Sequence, residues 1–552
     1  MTYKDSTPQA SAQLEVLALE VPYVADPTEL YYALCGQSTN SLLLESAEVD
    51  SKQNLKSLML IDAAVRIVCR GHQVDFEALT LNGENVLASL VDSLDPSLIT
   101  QQSRKTLTLS YLSHHQDTEL DEDSRLRQAS NFDALRAVQQ LYPTTALPHD
   151  ALFLAGLFAY DLVAAFEPLP EVDAKTQCPD YVFYVAETLL VMDHQKRKSK
   201  LQASLFSHQS SEDSPGDNSH YAHNYHELSR RIQAIKEQCL TKITVPPAPV
   251  MTNVAPTTNV SDEQFCQQVN FLKQHVIAGD IFQVVPSRQF TLPCPDPLAA
   301  YRALKQGNPS PYMFYLRDQD FTLFGASPES ALKYSKATNQ VEIYPIAGTR
   351  PRGKNRDDSI NLDLDGRIEL ELRCDVKEKA EHMMLVDLAR NDVARISEPG
   401  SRYVADLLKV DRYSHVMHLV SRVVGQLRSD LDALHAYQAC MNMGTLTGAP
   451  KIRAMQLIRQ VEQQRRGSYG GAVGYLTGTG DMDTCIVIRS AYVENEVATV
   501  QAGAGVVYDS IPQAEADETR AKAQAVIRAI QQAHSSSANS LRTQNSKESH
   551  NE

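Results

Sequence analysis

Apolar positions keep a helical period in several well-separated segments of this chain. Phe265, Val269, Leu272 and Val276 recur every three or four residues and define one face. Ser261 and Gln264 supply an S-x-x-Q capping box ahead of that face and Gly279 a stop behind it, so the spacing predicts a helix over 261–279. The same period marks 375–392, 433–442, 449–465 and 513–530. Between them, DIFQVVPSRQFTL (280–292) and DRYSHVMHLVSRV (411–423) read as strands, as does VQAGAGVVYDS (500–510) before it opens into Gly503-Ala504-Gly505.

From Leu14 to about Leu205 short strand-like and helix-like runs alternate. The Ser/Asp/His-rich stretch 207–224 reads as an exposed loop, and the Pro/Thr-rich stretch 244–261 as a connector. The expected organisation is an N-terminal region over 14–205, loop and linker over 206–260, a second region over 261–530 and a disordered polar tail over 533–552. No internal repeat stands out. The mixture predicts an α+β fold, a large, mostly antiparallel sheet body flanked by helices.

With 552 residues, 43% of them hydrophobic, the chain can build a substantial core. Its formal net charge of -16 argues against nucleic acid and against an anionic membrane surface. Nine cysteines are scattered without a CxxC pair, which fits reduced thiols and a cytoplasmic protein. The first twenty residues lack the apolar stretch of a signal peptide, and no run of about 18 apolar residues would span a bilayer.

Local chemistry departs from the overall acidity. The loop YPIAGTRPRG (344–353) holds two arginines and no acid. Gly348 permits close backbone approach, Thr349 adds a hydroxyl, and Arg350 and Arg352 are forked donors suited to carboxylate or phosphate. In the segment 375–392, Glu378 and Glu381 lie three apart beside an apolar stripe; Glu515 and Glu518 repeat the pattern in 513–530, with Lys522 four residues on. Either pair alone is most often a solvated face, yet one glutamate from each helix would suit Mg²⁺, which takes one or two carboxylates plus water and an anionic substrate. GTLTGAPK (444–451) lacks the GxxxxGK[ST] spacing and so is not read as a nucleotide loop. Amides at Gly503–Gly505 suit a carboxylate. Basic and amide-rich loops beside two acidic helices suit a small substrate with more than one carboxylate. His415 and His418 lie in an apolar run, as structural histidines or as a general acid or base.

PIAGTRPRG, EHMMLVDLARND, GTLTGAPK, GGAVGY, AGAGVVYDS and EADETRAKA follow one another in an order that resembles the chorismate-utilising enzymes, and within them the anthranilate synthase component I family, over about residues 14–530. The resemblance implies Mg²⁺ ligands at Glu381 and Glu518 and chorismate contacts at Gly348, Thr349, Tyr469, Arg489, Gly503, Ala504 and Gly505, with Lys522 assisting at a carboxylate. It implies a catalytic His418, and in Glu329 of GASPES the acid that protonates the departing ring hydroxyl. Whether Arg350 and Arg352 touch substrate stays open. Family members that add water carry a lysine where this chain has Gln283, and aminodeoxychorismate synthases carry one where it has Ala347; both absences point to ammonia as nucleophile and anthranilate, with pyruvate, as product. Segments 40–57 and 308–317 resemble the family's tryptophan-binding segments, which implies feedback inhibition by L-tryptophan through Ser46, Pro311, Tyr312 and Met313. None of the cysteines sits in a G-x-C-x-G elbow, so the resemblance implies a separate glutamine amidotransferase partner (component II) in a heterotetramer. An aminodeoxyisochorismate synthase, an aminodeoxychorismate synthase and an inactive tryptophan sensor are the alternatives.

Overall fold

The computed structural model describes residues 12–36, 38–46, 55–111, 120–144, 146–172, 178–208, 217–251, 255–355, 357, 359–413 and 416–535, without the side chains of 217–220. Two long strands, Lys56–Arg70 and Tyr181–Asp193, pair antiparallel from Lys56↔Asp193 to Cys69↔Tyr181. Both are almost wholly buried, which explains their near-continuous apolar sequence.

Two arms of antiparallel pairing leave this pair. On one, Ser41–Glu45 pairs with Tyr312–Arg317, which turns back as Thr322–Ser327 and continues through Ser490–Glu494 and Val497–Gly503 to Ser287–Pro293. On the other, Phe153–Phe158 pairs with Ala472–Thr477, followed by Met482–Ile486, Ser330–Ser335, Gln340–Ile343 and Val416–Gln426. The last strand also carries Ile346–Pro351 and Tyr403–Arg412. Strands from before the connector at 244–261 therefore form the middle block of one sheet, and strands from after it continue the sheet on both sides. Helices flank it, in keeping with the α+β expectation.

The helix Asp262–Ile277 forms with the expected box: Ser261 and Gln264 cap each other, and Gly279 follows at φ 81°. Helices Val376–Ala394, Ala433–Cys440, Lys451–Glu462 and Pro512–Ala533 fall where the period placed them. Three local expectations need correction. Residues 217–240 are helical, so half of the expected loop at 207–224 is not a loop; Leu228, Ile232, Ile235 and Cys239 bury one face beneath a polar sequence. DIFQVVPSRQFTL breaks at Pro286, which has no N–H to donate: Gln283–Val284 pairs with Gly448–Ala449, and Ser287–Pro293 joins the main sheet. DRYSHVMHLVSRV is two strands that pair at Arg412↔Met417, with His415 outside the described residues. The expected tail is described only as far as Ser535.

One buried cation fixes the helix that matters most for the site. Arg288, 1% exposed, donates to Thr519 Oγ1 at 2.9 Å, to the Ala516 carbonyl at 2.8 Å and to Asp262 at 2.7 Å. It locks the Pro512–Ala533 helix, and with it Glu515 and Glu518, against the strand Ser287–Pro293. Breaking a buried charged contact of this kind costs about 3–5 kcal/mol.

Candidate active site

The loop YPIAGTRPRG becomes the strand Ile346–Pro351, paired with Val416–Gln426 around a bulge between Ala347 and Thr349. Gly348 occupies that bulge at φ 70°, where a Cβ would lie 3.1 Å from both Glu378 Oε2 and Leu372 Cδ1. The positive φ favours glycine, and a larger residue would also have to push the Glu378 and Leu372 side-chain ends aside. The bulge turns the Gly348 carbonyl toward His418, whose Nδ1 lies 3.2 Å away; Thr349 Oγ1 is 3.0 Å from the same nitrogen. A carbonyl can only accept, so Nδ1 carries the proton and Nε2 keeps its lone pair. Burial, then the neighbouring Arg489 charge, pushes the His418 pKa down to about 4, so the ring is neutral. Tyr413 meets it edge-on at 5.3 Å.

Arg489 follows the strand Met482–Ile486 in the left-handed region at φ 48°, a conformation that costs about 1–3 kcal/mol for a residue with a side chain. Its guanidinium has no hydrogen bond or ion pair with any described residue, and burial lowers its pKa. The acidic groups whose charge reaches it are Tyr413 and Glu329. Glu329, 6% exposed, lies between two strands of the sheet, and burial pushes its carboxyl up to about 8. An unpaired guanidinium near a protonated acid and a neutral imidazole suits an anionic substrate whose leaving group needs a proton.

The opposite wall comes from the strand Val497–Gly503 and the Pro512–Ala533 helix. A Cβ on Gly503 would meet the Pro286 carbonyl at 2.7 Å and Tyr469 Oη at 3.1 Å; one on Gly505 would meet Gln283 Nε2 at 2.7 Å. Ala504 is tied by its N–H to the Pro286 carbonyl at 3.1 Å. Lys522 Nζ donates to the Gly503 carbonyl at 3.1 Å and pairs with Glu518 at 2.7 Å, while its charge is felt at Glu329. Gln283 is buried, and its Oε1 has no hydrogen-bond partner.

The two acidic helices do face each other. The Glu381 pKa is raised, first by burial and then by the charges of Glu378, Glu518 and Glu515. Lys377 is 3.8 Å from Glu381 and Glu378 is taken by Arg350 at 3.0 Å, while the charges of Glu518 and Glu515 reach Glu381 from the other helix. Among the described residues no group of three His, Cys, Asp or Glu side chains is placed to hold an ion unaided. A carboxylate raised in part by the opposed Glu518 and Glu515 charges, in a group that among the described residues has no third ligand placed beside it, fits a cation such as Mg²⁺ that fills its remaining positions from water and substrate.

Both loop arginines are held by acids of the chain itself. Arg350 pairs with Asp375 at 2.8 Å and Glu378 at 3.0 Å; Arg352 forks onto Asp365 at 2.9 and 3.0 Å and donates to the Tyr413 carbonyl at 2.6 Å. Both shape the loop that presents Gly348 and Thr349.

The ordered constellation matches a known family: the chorismate binding enzyme description covers residues 95–528. The chain is 67% identical over 524 residues to anthranilate synthase component 1 of Vibrio cholerae, covering 95% of this chain and 98% of the relative. The chain belongs to the anthranilate synthase component 1 family of chorismate-binding enzymes. The Escherichia coli component 1 is 58% identical over 523 residues, 94% of this chain and 98% of that one. Among solved structures, anthranilate synthase component I from Streptococcus pneumoniae aligns with TM-score 0.63 and 28% identity, over 91% of this chain and 97% of that one. The menaquinone-specific isochorismate synthase of Escherichia coli shares the fold, with TM-score 0.66 and 18% identity over 95% and 96% of the two chains.

Component 1 residues outside the sequence reading also border the site. Thr445 faces Glu329 and eases its charge, next to a small cavity of about 20 Å³ that Leu385, Leu388 and Met443 help to line. Thr445 lies in GTLTGAPK, a stretch noticed for its resemblance to a phosphate loop. Arg466 pairs with Glu462 at 2.6 Å and lies over the rings of Tyr160 and Tyr469, fixing Tyr469 in place. A larger cavity of about 140 Å³ lies beside Tyr469, Ser490 and Gln501.

The four residues assigned to tryptophan lie on or beside two adjacent strands, with Tyr312 and Met313 on opposite faces of theirs. Met313 pairs with Glu45 across adjacent strands, which sets Ser46 beside Tyr312, and Pro311 and Met313 are buried. The Glu45 carboxylate already accepts from Tyr301 at 2.6 Å and Lys305 at 2.5 Å, which leaves Ser46 as the polar group of that segment nearest Tyr312. Residues 47–54 of the same segment lie outside the described residues. Among the described residues no helix is long and apolar enough to cross a membrane.

Proposed function

We propose that the chain is the synthase subunit of an anthranilate synthase, which converts chorismate and ammonia to anthranilate and pyruvate. The observation that carries this reading is the grouping of protonated Glu329, neutral His418 and unpaired Arg489 between the Gly348–Thr349 bulge and the Gly503–Gly505 turn. Arg489 and the Gly505 amide of the turn receive carboxylates. Glu329 donates its proton to the leaving C4 hydroxyl, and a carboxyl that titrates at about 8 is still protonated for that role at neutral pH. Ammonia adds at C2. The Nε2 of His418 then removes the C2 proton as pyruvate leaves, and the ring becomes aromatic.

Glu381 and Glu518 would hold Mg²⁺, which when bound offsets carboxylate charge. Gln283 supports ammonia over water as nucleophile: an amide cannot act as the base that water addition requires. With no G-x-C-x-G elbow in the sequence, ammonia comes from a glutamine-hydrolysing component II, in a heterotetramer. L-tryptophan binds at Ser46, Pro311, Tyr312 and Met313 and inhibits.

The test is the purified chain with chorismate, Mg²⁺ and an ammonium salt at mildly alkaline pH, followed by anthranilate fluorescence. A rise that L-tryptophan suppresses supports both sites. Chorismate consumption without fluorescence moves the reading to an aminodeoxyisochorismate or aminodeoxychorismate product. No consumption removes it.

A further inference from the structure

Arg466 and Glu462 form an ion pair whose side chains are each 1% exposed, forked together at 2.6 and 3.0 Å. Arg466 also donates to the Leu446 carbonyl at 2.8 Å and to the Val285 carbonyl at 2.6 Å, so every nitrogen of the guanidinium has a partner inside the chain. A pair so deeply buried adds little net stability, because taking two charges out of water offsets their attraction. Its use lies in the geometry that it fixes. The guanidinium lies 4.6 Å from the Tyr160 ring centroid and 5.6 Å from that of Tyr469. The cavity of about 140 Å³ opens beside Tyr469, so packing does not hold the ring on that side. Glu462 Oε1 accepts both the backbone N–H and the hydroxyl of Ser287 at 2.8 Å, and Ser287 lies directly across from Gly503 in its strand pair. Tyr469 and Gly503 are themselves neighbours: a Cβ on Gly503 would lie 3.1 Å from Tyr469 Oη. Burial keeps the Tyr469 phenol protonated, and the Gly503 N–H eases charge on its oxygen, which leaves the phenol its own O–H to donate.

We infer that Arg466 and Glu462 are positioning residues: one holds the Tyr469 ring, the other holds the strand at Gly503, and together they set the Tyr469 hydroxyl to donate to a substrate oxygen beside the Gly503–Gly505 turn. The inference rests on the reading of the site above. Arg466 acts on the hydroxyl from the ring side and Glu462 from the strand side, so a shift of either changes the same gap, between Tyr469 Oη and Gly503. The backbone of this loop is fastened separately. Asp161 accepts the Gly467 N–H at 2.7 Å and pairs with Arg459 at 2.7 Å, and the Gly467 carbonyl accepts the Tyr160 N–H at 2.9 Å. A change confined to the Arg466 side chain therefore leaves the loop anchored and alters the placement of the ring.

Calorimetric titration of the full chain with chorismate and Mg²⁺, without ammonium, reads affinity and the fraction of competent sites separately. Arg466→Lys keeps a charge beside Glu462 and loses the flat guanidinium over the ring. It should weaken chorismate binding by about tenfold or more at full stoichiometry, the worth of one charge-assisted hydrogen bond. A lower stoichiometry at wild-type affinity means that the pair only holds the fold, and overturns the proposal. In a Tyr469→Phe background, which has no hydroxyl to place, Arg466→Lys should change the affinity by no more than about twofold, the scatter of such cycles. An equal loss in both backgrounds overturns the proposal. If Arg466→Lys does not fold, Ser287→Ala decides: it removes one bond to Glu462 and should weaken chorismate binding by about threefold or more, again only where the Tyr469 hydroxyl is present. No loss in Ser287→Ala overturns the proposal. Binding needs no turnover, so a wild-type chain that takes chorismate and makes no anthranilate removes the functional reading alone, and one that does not take chorismate removes both.

Discussion

His418 donates its Nδ1 proton to the carbonyl of Gly348 across 3.2 Å, and that bond leaves Nε2 as the ring's free base. The bulge at Gly348 therefore sets the tautomer of a residue 70 positions away. His418→Asn can still donate to that carbonyl and has no base to offer. It should consume chorismate and accumulate a non-aromatic amine, with anthranilate formation down by about 10²–10⁴-fold, the usual worth of a positioned base. Chromatography of products beside fluorescence reads both effects; an unchanged anthranilate rate would remove His418 from the chemistry.

Glu329 makes a pH-dependent claim. Its carboxyl titrates at about 8 in the fold, against 4.5 for a free glutamate, because burial penalises the charge. Below the lower value it is neutral in both folded and unfolded chains and costs nothing. As pH rises through the window the unfolded chain ionises first, so stability is lost progressively up to about the folded value. Glu329→Gln should raise the melting temperature relative to wild type above pH 8, by an amount worth on the order of a few kcal/mol, with the gap closing toward acid. The same variant should lose activity at every pH, and the wild-type rate, corrected for free ammonia, should fall as pH passes about 8. Equal melting curves across the range would contradict a buried neutral acid.

Much of this was legible in the chain. The Ser261–Gln264 box, the glycine after it and the period of five helices foretold those elements because each signal is local. The roles of Arg350 and Arg352 were not legible, since their partners Asp365, Asp375 and Glu378 lie 13 to 28 residues away and look like ordinary surface acids. Glu378 reads in sequence as the spare member of an acidic pair beside Glu381 and is an arginine partner in space. The Asp217–Leu240 helix was masked by its polar start, although Leu228, Ile232 and Ile235 carry the period. The joining of strands from both halves in one sheet depends on pairings such as Glu45↔Met313 that no local pattern encodes.

The two kinds of arginine should separate in experiment. Arg489 has no described protein partner, so Arg489→Ala should fold normally and raise KM for chorismate by roughly 10- to 150-fold, the equivalent of one lost charge-assisted bond. Arg352→Ala leaves Asp365, itself 3% exposed, without its fork, and should lower stability by about 3–5 kcal/mol in thermal or urea unfolding. If Arg352→Ala changed only KM, the loop assignment would be wrong.

The opposed carboxylates predict a stability effect of metal that requires no turnover. Glu381 is raised by burial and by the charge of Glu518, so a divalent cation between them removes a repulsion present in the free chain. Mg²⁺ at 100 times its dissociation constant should stabilise the wild type by about 2.7 kcal/mol, and Glu381→Gln or Glu518→Gln should abolish that shift. A Mg²⁺-dependent melting shift that survives both substitutions would place the ion elsewhere.

Tyr312 and Ser327 face each other in one antiparallel pair, and Ser327 Oγ accepts the backbone N–H of Glu329 at 3.3 Å. A ligand against Tyr312 therefore bears on the strand that leads to the acid. Neighbouring Ala326 is tied by its N–H to the Arg489 carbonyl at 3.1 Å, so the same strand holds two members of the site. If tryptophan inhibits by shifting this strand, Ser46→Ala should weaken tryptophan binding and leave the KM for chorismate in its absence unchanged. Ser327→Ala should keep tryptophan binding and reduce the coupling, since the link to Glu329 is the bond removed. Coupling between two ligands is reciprocal, so the factor by which tryptophan weakens chorismate should equal the factor by which chorismate weakens tryptophan, and both should fall together in Ser327→Ala. Calorimetric titration of each ligand in the presence of the other measures the two factors directly; inhibition that persists at full strength in Ser327→Ala would route the signal through another strand.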